Sequence, residues 1–152
     1  MFQEGFSQGN DAREKIEAAR IALITERLGL TPEEAQKFWP VYNEYDQQRR
    51  GLSRELQNAR NQVDLDNMNE EQSKNLMNKA LDIKERQVQL EKQYAQRLTN
   101  IISAQQLLML KKAENDFRKM ILRRLEERKI QQLRREQLRN RREEILRNRS
   151  NN

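Results

Sequence analysis

The side chains able to do chemistry in this sequence are carboxylates, amides, guanidiniums and ammoniums. Its 152 residues include no cysteine and no histidine. That removes thiolate nucleophiles and disulfides, together with the commonest general base and the commonest transition-metal ligand. There is no glycine-rich phosphate loop and no His-Glu-x-x-His run. The sequence therefore reads as a protein without catalytic residues, cofactor or metal. An oxygen-only cation site could draw on Asp64, Asp66 and Glu70, but a capped acidic turn explains these residues better. What remains is recognition chemistry. Thirty Lys and Arg against 24 Asp and Glu leave a net charge of +6. The basic residues that stand beside apolar ones are Arg49, Arg50, Arg54, Lys111, Lys112, Arg118, Lys119 and Arg123. Met77, Met109 and Met120 offer adaptable apolar surface.

The elements that carry these residues must be helices. Apolar residues make up 35% of the chain and charged ones 36%, too polar for a thick core but suited to long helices that each bury one stripe. Only four glycines and two prolines interrupt the pattern. No run of about 18 apolar residues occurs, so no helix is expected to span a membrane. No secretory signal is visible at Met1-Phe2-Gln3-Glu4-Gly5, which suits either a cytosolic start or the mature part of an exported chain.

Residues 1–10 read as a flexible arm. Asp11-Ala12-Arg13-Glu14 then reads as a capping box opening a first helix, which Gly29 ends as a left-handed cap. Thr31-Pro32-Glu33-Glu34 opens a second helix at once, with Thr31 as cap, Pro32 in the first turn and Glu34 able to reach back to the cap amide. This helix runs to about Asn61, with Ala35, Phe38, Tyr42, Tyr45, Leu52, Leu56, Ala59 and Val63 as its stripe. Pro40 should kink it, with Phe38, Trp39 and Tyr42 packed around the kink. Asn69, with Gln72 three residues on, caps a third helix from Glu70 to about Asn100. Its stripe is Leu76, Ala80, Ile83, Leu90, Tyr94, Leu98 and Ile101. Folding the two stripes about a centre near residue 68 gives an antiparallel hairpin in which Tyr42 meets Tyr94 and Arg49 meets Gln87 in one polar layer, which either fixes the register or simply lets both long side chains snorkel to water.

Ser103, with Gln106 three residues on, caps a fourth helix. Leu107, Leu110, Phe117, Ile121 and Leu125 form its stripe, widened by Leu108, Met109, Met120 and Leu122. Beyond Leu125 the apolar pattern thins. Residues 126–149 carry nine Lys or Arg against five Glu. If continuous, the helix spans about 70 Å. Its basic end raises nucleic-acid binding, but interleaved Glu and the absence of any aromatic residue after Phe117 argue against it.

Leu30-Thr31-Pro32-Glu33-Glu34 and Ile102-Ser103-Ala104-Gln105-Gln106 are two copies of one motif at two helix starts. On them, and on the stretch Leu30–Tyr45 with its Phe38-Trp39-Pro40-Val41-Tyr42, the chain resembles the Spy/CpxP group of periplasmic proteins, named for a repeated Leu-Thr-x-x-Gln. The resemblance covers about residues 11–125 and departs at 126–152, a charged helical extension. It implies an all-α fold of four helices, a bent antiparallel hairpin with a long basic C-terminal helix, paired into a homodimeric cradle. It also implies a periplasmic, ATP-independent chaperone that binds unfolded clients, the eight basic residues above being the contact candidates. A stress sensor acting on an envelope signalling protein is the alternative, its metal-sensing form disfavoured by the missing histidines. On either reading, Asp11, Thr31, Glu34, Asn69, Ser103 and Gln106 are structural caps.

Overall fold

The computed structural model describes residues 4–150, with side chains from residue 9 onward. It contains four helices, α1 (Glu4–Leu28), α2 (Pro32–Asn61), α3 (Glu70–Leu98) and α4 (Ala104–Ser150), and no strand among the described residues. The fold is all-α. The helices are distributed over two compact units, one formed by residues 25–110 and the other by residues 1–24 with 111–152.

The unit 25–110 is built on the α2–α3 hairpin. Its core lies where the apolar spacing places it. Phe38, Tyr42, Tyr45 and Ala59 of α2 are buried, as are Ile83, Leu90, Tyr94 and Leu98 of α3. Helix α2 passes through Pro40 without ending. The bond that Pro40 cannot donate is lost, and a run of rings flanks the site. Phe38, Trp39 and Tyr42 lie with centroids 5.1–5.4 Å apart, two of the pairs edge-on. Edge-on and offset aromatic pairs add about 0.5–1.5 kcal/mol each beyond their burial.

The hairpin register differs from the expected one. The Tyr94 ring lies 5.2 Å from Tyr45, and its hydroxyl accepts a hydrogen bond from Gln48 Nε2 at 3.0 Å. Arg86 forks onto both oxygens of Glu55, and Arg97 donates to Glu44 Oε2, all at 3.0 Å. These links centre on about residue 70, not 68, so each α2 residue faces a point further along α3. In this register Arg49 lies about one helical turn from the level of Gln87. Arg49 donates to Asp46 on its own helix at 2.7 Å and lies over the Tyr45 ring at 5.0 Å. Spacing shows which face of each helix is apolar but not which turn it meets, and Val63 and Met68 of the connection are half-buried.

In the unit formed by 1–24 and 111–152, Arg20, Ile24, Ala113 and Phe117 are buried. A shallow groove there is lined by Ile16 and Ala19 of α1 and by Ile121 and Leu125 of α4. The first helix starts earlier than its capping box implies. Residues 1–3 of the expected arm lie outside the described residues, but from Glu4 the chain is helical, so Asp11 sits inside α1 and caps nothing. Once a helix exists, each added residue gains a hydrogen bond without a new nucleus, and this outweighs the roughly 1 kcal/mol cost of a glycine such as Gly9. The α4 stripe is also narrower than expected. Leu108, Met109, Leu122 and Leu125 are exposed, Leu108 at 72%.

The hairpin's cross-links make its stability depend on acid. Hydrogen bonds from Arg97 and then Tyr94 hold the Glu44 carboxyl below the usual glutamate range, and a hydrogen bond from Arg86 does the same for Glu55. A carboxylate depressed in the folded state binds protons more readily when unfolded. Its contribution is therefore present above the unfolded pKa and lost as the pH falls through the folded one. Urea midpoints should drop between about pH 7 and about pH 3. The Glu44→Gln/Glu55→Gln variant should be less stable at neutral pH and lose less on acidification. An equal fall in both proteins would exclude these pairs as the cause.

Candidate functional site

Three helix ends of the unit 25–110 meet at one side chain. Helix α1 closes with Gly29 at φ 61°, where its N–H donates to Glu26 O and the Leu30 N–H donates to Thr25 O, each at 3.1 Å. This is a Schellman closure, and it demands glycine because of the backbone conformation. Thr31 follows as the α2 cap, its Oγ1 accepting from the Glu34 N–H at 3.1 Å. Glu34 does not reach back to an amide, as a complete capping box requires. Its carboxylate instead accepts from the Thr31 hydroxyl at 3.1 Å. At the start of α4 the box is complete. Ser103 Oγ accepts from the Gln106 N–H at 3.1 Å, and Gln106 Oε1 accepts from the Ser103 N–H at 2.8 Å. The amide nitrogen of Gln106 then donates to Leu28 O, the open carbonyl at the end of α1, at 3.0 Å, with a longer contact of 3.4 Å to Glu34 Oε2. One carboxamide thus ties the end of α1 to the starts of α2 and α4. The third start, at α3, is separate and self-contained, with Asn69 and Gln72 in a reciprocal box.

The candidate contact residues fall on both units, and their surroundings differ. In the unit 25–110, Arg49 and Arg50 share the buried carboxylate of Asp46 at 2.7 and 2.9 Å. Asp46 is only 6% exposed, while the Arg50 side chain that pairs with it stays 62% exposed. Arg54 is exposed on the same helix. In the other unit Lys111, Lys112, Arg118, Lys119 and Arg123 are all exposed on α4. Sequence reasoning missed Asp46, although its spacing of three and four residues to Arg49 and Arg50 is the signal for such pairs. It also missed a stack across the hairpin. Arg49 lies over Tyr45, Tyr45 against Tyr94, and Arg97 over Tyr94 at 4.9 Å. Burial first, and the hydrogen bond with Glu44 second, push the Tyr94 hydroxyl up, so it stays neutral within this stack.

The acidic turn holds itself. Asp64 Oδ1 accepts from the Asp66 N–H at 3.1 Å and Oδ2 from Asn67 Nδ2 at 2.7 Å. Among the described residues no three acidic side chains converge as a cation site. No helix among them is long and apolar enough to cross a membrane.

The exposed apolar residues complete the surface. On α3, Met77, Leu81 and Val88 stand 49–55% exposed along one line, away from the buried seam. Lys84 lies within this line and Lys74 and Lys92 flank it, with Glu70 and Glu91 on the same face and Lys74 4.0 Å from Glu70. The arrangement offers cations and apolar contact together, and no nucleophile or acid–base pair is assembled beside it. No family model, curated protein or solved structure matches this chain.

The junction is testable through its central amide. Gln106→Glu keeps the acceptor for Ser103 but replaces the donor with a carboxylate facing Leu28 O and Glu34. It should destabilise the protein by about 1–3 kcal/mol in urea titrations. Adding Glu34→Gln restores a donor at the same contact and should return a large part of the loss. Additive losses in the double variant would show that the two side chains are not coupled.

Proposed function

We propose that this chain is a Spy/CpxP-like, ATP-independent chaperone of the cell envelope, active as a homodimer on unfolded or aggregation-prone proteins. The observation that carries the reading is the α3 line of Met77, Leu81 and Val88 interleaved with lysines. A surface that holds many different unfolded segments needs long-range attraction and adaptable, non-directional contact. Exposed lysines supply the first and can act at a distance of about 8–10 Å in physiological salt. Methionine and aliphatic side chains supply the second. The two motif copies support the same reading, since both lie at helix starts joined through Gln106. A rigid junction would keep the binding helices in place while the client stays mobile. The absence of histidine and cysteine agrees with a role in binding, not catalysis.

The test is light scattering from a denatured, aggregating protein mixed with stoichiometric amounts of this chain, without nucleotide, at low and high salt. Suppression that weakens with salt is expected. Met77→Gln/Leu81→Gln should lower it several-fold while leaving the helix content unchanged by circular dichroism. No suppression at either salt would overturn the reading and make a folded envelope signalling protein the partner to seek.

A further inference from the structure

The charged end of α4 is sorted by sign, although its overall composition is mixed. From Leu122 onward every described side chain of this helix is exposed. Arg128, Arg135, Arg142 and Arg149 recur every seven residues. On a helix that spacing draws one line, drifting about 20° per repeat. Arg139 adjoins the line, and Arg134 and Arg141, again seven apart, form a second line beside it. Together these seven arginines cover an arc of about 160°. The acidic residues fall elsewhere. Glu126, Glu136, Glu143 and Glu144 lie on the opposite side with Asn140, and Glu127 alone enters the arginine arc. Leu138, Ile145 and Leu146 lie within the arc and are 66%, 50% and 56% exposed.

We propose that this arginine face docks on the phosphate headgroups of an anionic lipid bilayer. Three features favour that occupant. Arginine's planar fork pairs with phosphate oxygens more specifically than lysine does, and every cation in the arc is arginine. The row from Arg128 to Arg149 runs for about 32 Å along the helix and turns by only about 60° over that length, so it keeps to one side of the helix and can lie along a plane. Finally, the three apolar side chains among the arginines suit the boundary between headgroups and acyl chains, and they have no use in a row of phosphodiesters. This is surface docking and does not depend on the chaperone reading, which rests on α3.

The experiment is co-sedimentation of the full chain with vesicles of one part phosphatidylglycerol to two parts phosphatidylcholine. Binding is expected at low salt and should be lost at about 0.5 M salt. Two double variants remove equal charge from opposite sides of α4. Arg135→Gln/Arg142→Gln should weaken binding about tenfold or more, and Lys129→Gln/Arg147→Gln should change it by less than about twofold. Glutamine forms helix about as well as the residues it replaces, and circular dichroism of each variant checks that the helix is intact. Equal losses from the two pairs would reduce the effect to net charge and overturn the proposal. So would the absence of binding to these vesicles. Displacement from them by duplex DNA, weakened by the same arginine pair, would assign the face to nucleic acid instead.

Discussion

The carboxamide of Gln106 is the contact on which the arrangement of the unit 25–110 depends. Every helix end leaves backbone groups without partners inside the helix. Here one side chain serves two such ends, accepting from the start of α4 and donating to the end of α1, and reaches the Glu34 carboxylate in the first turn of α2. Only an amide can do this, because the site needs an acceptor and two donors on one planar group. The left-handed turn at Gly29 brings the chain from α1 into α2 within three residues, and so sets Leu28 O and Glu34 close enough to share a donor.

Away from that junction the hairpin is held by a different kind of interaction. Phe38, Tyr42, Ile83, Tyr94 and Leu98 supply the buried area, and ion pairs at its margin match in one register. The two roles are physically separate. Apolar burial is non-directional and tolerates sliding by a helical turn. The forked Arg86–Glu55 pair and the Gln48–Tyr94 hydrogen bond do not.

That separation explains how much could be read from the residues. The helices, their caps at Thr31, Asn69 and Ser103, the left-handed Gly29 and the buried stripes of α2 and α3 were legible, because each rests on local spacing or on one residue's own conformational preference. The hairpin register was not, since spacing alone shows which face is apolar and not which turn it meets. Arg49 was assigned to the seam for its position, while its partner Asp46 sits three residues away on the same helix. The start of α1 was misplaced because a capping box is only a local preference, and an existing helix can extend through it. The basic residues of the candidate site were visible as charges, and Asp46 was within reach of the same spacing, but its burial and the exposure of Leu108 and Met109 depend on tertiary packing.

The far part of α4 has a consequence for how the molecule melts. Beyond Arg128, where α4 leaves the groove it lines with α1, every side chain is exposed and the helix has no buried face to lose when it opens. Its ends can fray one residue at a time, and its helicity follows the helix–coil balance of a peptide, not a cooperative core. Heating should therefore remove helix in two ways at once. The hairpin unfolds across a single sigmoidal step, while the extension contributes a shallow slope on either side of it. Amide hydrogens beyond Arg128 exchange on the time scale of that local opening, long before those of Tyr42 and Tyr94 are released.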